Sequence, residues 1–79
     1  MRVFVKLIAT YQQYLPKGTV GNTIEIELPR ETTVLQAVSR FGVPLDDTSV
    51  IVLNGLTVDL NTPVSEGDTV TAFSAIAGG

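Results

Sequence analysis

The apolar stretch that begins the chain, Arg2–Ile8 (RVFVKLI), is β-branched and aromatic, and a period of two places Val3, Val5 and Leu7 on one face of a β-strand. The same period of two returns at Thr23–Leu28, where Ile24, Ile26 and Leu28 oppose Glu25 and Glu27. That is the pattern of a strand with one solvated face, and Pro29 ends it. The connection between them, Ala9 to Asn22, carries Pro16, Gly18 and Gly21. Its middle, Tyr11–Leu15, has room for one helical turn before the Leu15–Pro16 step stops it. Two strands joined this way form an antiparallel hairpin with a loose loop.

The period then becomes helical. Thr33 is a good N-cap, and Gln36 three residues on completes a Thr-x-x-Gln capping box. Val34, Leu35, Val38 and Phe41 fall on one stripe. Gly42 stands where a left-handed residue closes a helix, and Pro44 blocks continuation. A helix this short must pack on the sheet to persist. The unbroken apolar run Val50–Leu53 predicts a strand buried on both faces. Asn54-Gly55 is a strong two-residue hairpin signal, followed by a short strand, Leu56–Val58. Asp59–Glu66 is irregular, Glu66-Gly67-Asp68 turns the chain, and a last strand runs from Thr69 to about Ala75.

This order predicts an α+β domain, one main helix packed on a mixed four- to five-stranded sheet. The connection through the helix is long enough for a crossover, so it permits a parallel pair. The expected core is Val3, Val5, Ile24, Ile26, Val38, Phe41, Ile51 and Leu53. Residues 1–75 are expected to form the single domain and residues 76–79 a flexible tail.

Composition removes most autonomous catalysts. The 79 residues make one domain near the lower size limit for independent folding, and 44% hydrophobic residues supply a core. With no Cys and no His there is no standard zinc site, no disulfide and no Ser-His or Cys-His pair. Five basic residues, scattered among eight acidic ones, give a net charge of −3, the wrong sign and pattern for nucleic acid. No segment has the length of a membrane span, and Lys6 interrupts the first apolar stretch, so neither a membrane nor a secretory signal is expected. A cytoplasmic location is the default expectation.

Phe73 falls by alternation with Thr69 and Thr71, opposite Val70 and Ala72. It is either a docking anchor, as exposed aromatic residues often are, or a ring covered by the Tyr11–Pro16 connection. Glu25 and Glu27 read as a solvated face, Asp46-Asp47 as a polar loop, and Lys6 and Lys17 as ordinary surface lysines rather than conjugation sites.

The sequence closes on Ala77-Gly78-Gly79. Terminal glycines alone read as a frayed end. Their neighbours change the picture: VSEGDTVTAFSAIAGG (Val64–Gly79), SVIVLNG (Ser49–Gly55) and TTVLQAVSRFG (Thr32–Gly42) occur in order over most of the chain. Together they resemble the ubiquitin-like sulfur carriers of molybdopterin and thiamine synthesis, the MoaD/ThiS family. The resemblance implies a β-grasp fold and a carrier that is not itself an enzyme. In that family a partner activating enzyme, using ATP and Mg²⁺, adenylates the terminal Gly, here Gly79. A sulfur donor converts it to a thiocarboxylate, and a synthase subunit consumes that group. Gly78 would let the tail pass, and Phe73, Ile76 and Ala77 would dock the partner.

The tail chemistry also has a general physical rationale. Five or six extended residues reach on the order of 17–21 Å, enough to cross a partner's surface. Gly lacks a Cβ, so the backbone fits a narrow channel. No cofactor is expected to stay bound, and a monomer is expected when free. The AIAGG ending resembles the thiamine branch and a cysteine-synthesis branch. The connection TYQQYLPKG (Thr10–Gly18) and the chain length resemble the molybdopterin branch, or a related tungsten one. The alternatives are a ubiquitin-like modifier joined through Gly79 to target lysines, a carrier for tRNA thiolation, and a β-grasp binding module.

Overall fold

Strand β1 (Arg2–Leu7) lies inside a five-stranded sheet, paired antiparallel with β2 (Thr23–Glu27) and parallel with β5 (Thr69–Ser74). On the far side of β5, β3 (Ser49–Leu53) runs antiparallel to it and to the two-residue β4 (Leu56–Thr57), giving the order β2-β1-β5-β3-β4. These coordinates are a computed structural model that describes residues 1–76. Ala77, Gly78 and Gly79 lie outside the described residues. The α+β expectation holds. The parallel pair joins the first and last strands, so every segment from β2 to β4 belongs to the crossover between them.

Alternation decides which face of the sheet is covered. Val3, Val5 and Leu7 of β1, Ile51 of β3, and Val70 and Ala72 of β5 point to one side and are buried there. Helix α1 (Val34–Ser39) covers that side. Its first turn is held by the capping box: Thr33 Oγ1 accepts from the Gln36 N–H at 3.2 Å, and Gln36 Oε1 accepts from the Thr33 N–H at 3.0 Å. The Asp59–Glu66 stretch supplies two more acceptors. The Val34 and Leu35 N–H groups donate to the carbonyls of Thr62 and Leu60, at 2.9 and 3.1 Å. Donors that a helix start leaves unpaired are thus satisfied by a loop that carries no regular structure of its own.

Three expectations need correction. The buried stripe of α1 is Val34, Ala37 and Val38, while Leu35 and Phe41 flank it half-buried. A one-and-a-half-turn helix has only one i, i+3, i+4 set facing the sheet, and the small Ala37 lets its backbone sit close. Ile24, Ile26 and Leu53 are also half-buried against the core rather than inside it. Finally, β3 is not buried on both faces: only Ile51 is closed off, and Val50 and Val52 look toward the uncovered side of the sheet. Among the described residues the single α-helix covers one face, and an apolar run reads alike in either case.

The connection after β1 contains a 3₁₀ helix, Ala9–Tyr14, starting two residues before the helical turn expected there. It delivers Tyr11 into the core as a buried ring, edge-on to Tyr14 with centroids 6.3 Å apart. Asn54 and Gly55 both adopt positive φ (51° and 88°), the geometry of the tight hairpin turn. Among the described residues no helix is long and apolar enough to cross a membrane.

Candidate functional site

The last strand, β5, sits between β1 and β3, and it carries the chain to the tail. Its final ladder pair is Ser74 with Ser49, the first residue of β3. Beyond that pair the next backbone donor would be unpaired. It is not, because the Ala75 N–H donates to the Thr48 carbonyl at 2.7 Å. The Ile76 N–H then reaches Ser74 Oγ at 3.3 Å, and Ser74 Oγ lies 3.2 Å from Thr48 Oγ1.

Thr48 is itself fixed by Asp46. Its N–H and its hydroxyl both donate to Asp46 Oδ1, at 2.8 and 2.6 Å, the first of these closing an Asx-turn. The Asp46 N–H donates to Ser49 Oγ at 3.0 Å, and Tyr11 Oη stands 2.6 Å from the same oxygen. The Thr48 hydroxyl, then its backbone N–H, hold the exposed Asp46 carboxyl below the usual aspartate range, against a small opposing effect of desolvation. A cleft of about 290 Å³ opens beside this network, walled by Tyr11, Tyr14, Pro44, Asp46, Thr48 and Ile76.

Of the expected docking residues, Ile76 is 55% exposed and lines that cleft. Phe73 is half-buried on the uncovered face, opposite Val50 in register. The 3₁₀ connection does not serve as its lid. Tyr11 bonds Ser49, which shares the covered side with Ile51, so that segment packs on the opposite face of the sheet from Phe73. Around Phe73 the uncovered face carries Phe4, Lys6, Val50, Val52 and Thr71, all half-buried. Gly79, Gly78 and Ala77, expected to carry, pass and dock the acyl group, lie outside the described residues.

Sequence reasoning missed Tyr11, Asp46, Thr48, Ser49 and Ser74 as one group. The Asp46-Asp47-Thr48-Ser49 string does carry the signature of a side-chain-capped turn. Among the described residues no three His, Cys, Asp or Glu side chains gather in a way that would hold a metal ion.

Residues 1–77 match the protein-family model described as Mut7-C ubiquitin. Three solved structures share the fold. SAMP1 from Haloferax volcanii superposes with a TM-score of 0.75 at 20% identity, over 100% of both chains. A putative molybdopterin converting factor subunit 1 from Pyrococcus furiosus gives 0.69 at 24% identity, covering 95% of this chain and 98% of that one. A chain in the complex of subunits 1 and 2 of the molybdopterin-converting factor from Helicobacter pylori 26695 gives 0.63 at 22% identity, over 100% of both chains. At these identities the likeness establishes the ubiquitin-like β-grasp fold. No curated protein matches the sequence.

Proposed function

The chain belongs to the Mut7-C ubiquitin family, and on that premise we propose that it is a sulfur carrier acting through the carboxyl group of Gly79. The observation that carries this reading is the course of β5. A strand in the interior of the sheet delivers the chain, backbone still hydrogen-bonded through Ala75 and Ile76, to an exposed point two positions before Gly78.

In the proposed reaction a Gly79 carboxylate oxygen attacks the α-phosphorus of ATP in a partner activating enzyme that holds Mg²⁺, and pyrophosphate leaves. A sulfide-level nucleophile from a sulfur donor then displaces AMP and leaves a thiocarboxylate. A carboxylate has no leaving group of its own, and adenylation supplies one. The carrier contributes no acid or base to either step, in keeping with a sequence that has no Cys or His. The consumer of the sulfur is proposed to be a synthase subunit forming molybdopterin or a related tungsten cofactor. The fold likeness to the Pyrococcus and Helicobacter subunits supports that choice.

Intact-mass spectrometry tests the reading. After incubation with a purified adenylating enzyme of the molybdopterin-converting type, ATP, Mg²⁺ and sulfide, one oxygen should be exchanged for sulfur, and the change should map to Gly79. A carboxyl terminus left unmodified under these conditions would overturn it. A second reading draws on the likeness to SAMP1, small archaeal modifier protein 1 of Haloferax volcanii: an isopeptide bond between Gly79 and a target lysine. A cross-linked peptide ending in Gly78-Gly79 on lysine, without thiocarboxylate, would decide for it.

A further inference from the structure

The hydroxyls at the root of the tail have a determinable direction. Asp46 is an acceptor when ionised, so the Thr48 hydroxyl, 2.6 Å from Oδ1, gives its proton there. Thr48 Oγ1 can then only accept from Ser74, 3.2 Å away, and Ser74 Oγ keeps its lone pairs for the Ile76 N–H at 3.3 Å. The sequence of donors is fixed: Ile76 to Ser74, Ser74 to Thr48, Thr48 to Asp46. It ends on a charged acceptor, where hydrogen bonds are strongest, and each bond polarises the one before it.

The same residue holds the tail a second way, since the Thr48 carbonyl accepts the Ala75 N–H at 2.7 Å. The two contacts fall on successive residues, Ala75 and Ile76, where the sheet no longer constrains the chain. Asp46 in turn is anchored through its N–H to Ser49 Oγ, against which Tyr11 Oη closes at 2.6 Å.

We propose that Thr48 is a positioning residue that, together with Asp46 and Ser74, holds the backbone of Ala75 and Ile76 in one course beyond the end of β5. The idea deepens the sulfur-carrier reading and rests on it for its purpose: a carrier whose Ala75 and Ile76 are already ordered loses less freedom on entering the activating enzyme. Thr48 is proposed to act through the backbone of Ala75 and Ile76. Its effect falls on the binding of the carrier, not on the chemistry at Gly79.

The test compares Thr48→Val, which keeps the branched shape without the hydroxyl, with Thr48→Ser, which keeps the hydroxyl. Amide hydrogen exchange by NMR should quicken at Ala75 and Ile76 in Thr48→Val, while Val70 and Ala72 keep their protection. Thr48→Ser should behave as the parent. In ATP–pyrophosphate exchange with the purified adenylating enzyme, Thr48→Val should raise KM for the carrier roughly threefold to tenfold with kcat unchanged, the cost of ordering a few more rotors on binding. Unchanged exchange at Ile76, a fall in kcat without a rise in KM, or a Thr48→Ser variant as impaired as Thr48→Val would each overturn the proposal. If the parent protein is never adenylated, the sulfur-carrier reading falls, and the exchange data alone then judge whether Thr48 orders the chain.

Discussion

Tyr11 and Ser49, 38 residues apart in sequence, meet through hydroxyl oxygens 2.6 Å apart at the edge of the core. The contact pins the 3₁₀ segment to the start of β3 and lets a buried phenol satisfy its polar end. It also fixes Ser49 Oγ where it can accept the Asp46 N–H. Tyr11→Phe keeps the ring and removes the bond, so it should lower stability by about 1 kcal/mol, read as a lower urea midpoint at unchanged slope. A midpoint equal to the parent's would show that the bond contributes nothing net.

The capping box makes a second, independent claim on stability. Thr33→Ala removes the acceptor for the Gln36 N–H and should cost about 1 kcal/mol. Gly42, at φ 78°, closes the other end of the helix, and a Cβ there would meet no atom within 4 Å. Gly42→Ala should therefore destabilise through the backbone alone, by about 1 kcal/mol. The two sites flank the helix without sharing a partner, so the double variant should lose close to the sum of the single losses in chemical denaturation.

Those two helix ends were legible in the sequence because capping chemistry is local: Thr33 and Gln36 are three residues apart, and a Gly before Pro44 can be read on sight. The alternation of β1 and β2 and the Asn54-Gly55 turn were legible for the same reason. The number of covered faces was not. Val50–Leu53 reads as a doubly buried strand until the described residues are seen to hold a single α-helix, on one side of the sheet, and Phe41 reads as core until Ala37 is seen to face the sheet. The network at the tail was half legible. Asp46 and Thr48 form an Asx-turn within the stretch read only as a polar loop, a local signal present in the residue order, whereas Ser74 and Tyr11 join it only through a register set 26 and 38 residues away.

Acid should loosen that network. The Thr48 hydroxyl and N–H favour the ionised Asp46, so its folded pKa lies below that of the unfolded chain. For a depressed carboxylate the contribution is fully present above the unfolded value, about 3.9, and is lost as pH falls through the lower folded value. The Thr48 and Ile76 amide chemical shifts should stay constant from neutrality to about pH 4 and move together below it. Asp46→Asn should abolish the shared titration. Movement of both amides near neutral pH would contradict the assignment.

Leu7 and Phe73 separate folding from docking. Leu7 is closed inside the sheet–helix core, and Leu7→Ala should cost roughly 2–5 kcal/mol, the transfer loss plus the cavity left behind. A domain of this size holds only about 4–12 kcal/mol in total, so that variant should melt far earlier or fail to fold. Phe73 stands on the uncovered face, half-exposed beside Val50 and Thr71, with no helix above it to leave a void. Phe73→Ala should therefore cost distinctly less in stability. If the face is where a partner sits, truncating a central aromatic ring should weaken binding by at least about 1–2 kcal/mol, a factor of ten or so in Kd. Calorimetric titration of parent and Phe73→Ala against the purified adenylating enzyme, with thermal melts of both, would measure the two effects separately. Equal Kd values with a shared melting point would remove Phe73 from the docking surface and leave Ile76, at the opposite side of the tail's root, as the apolar contact to test next.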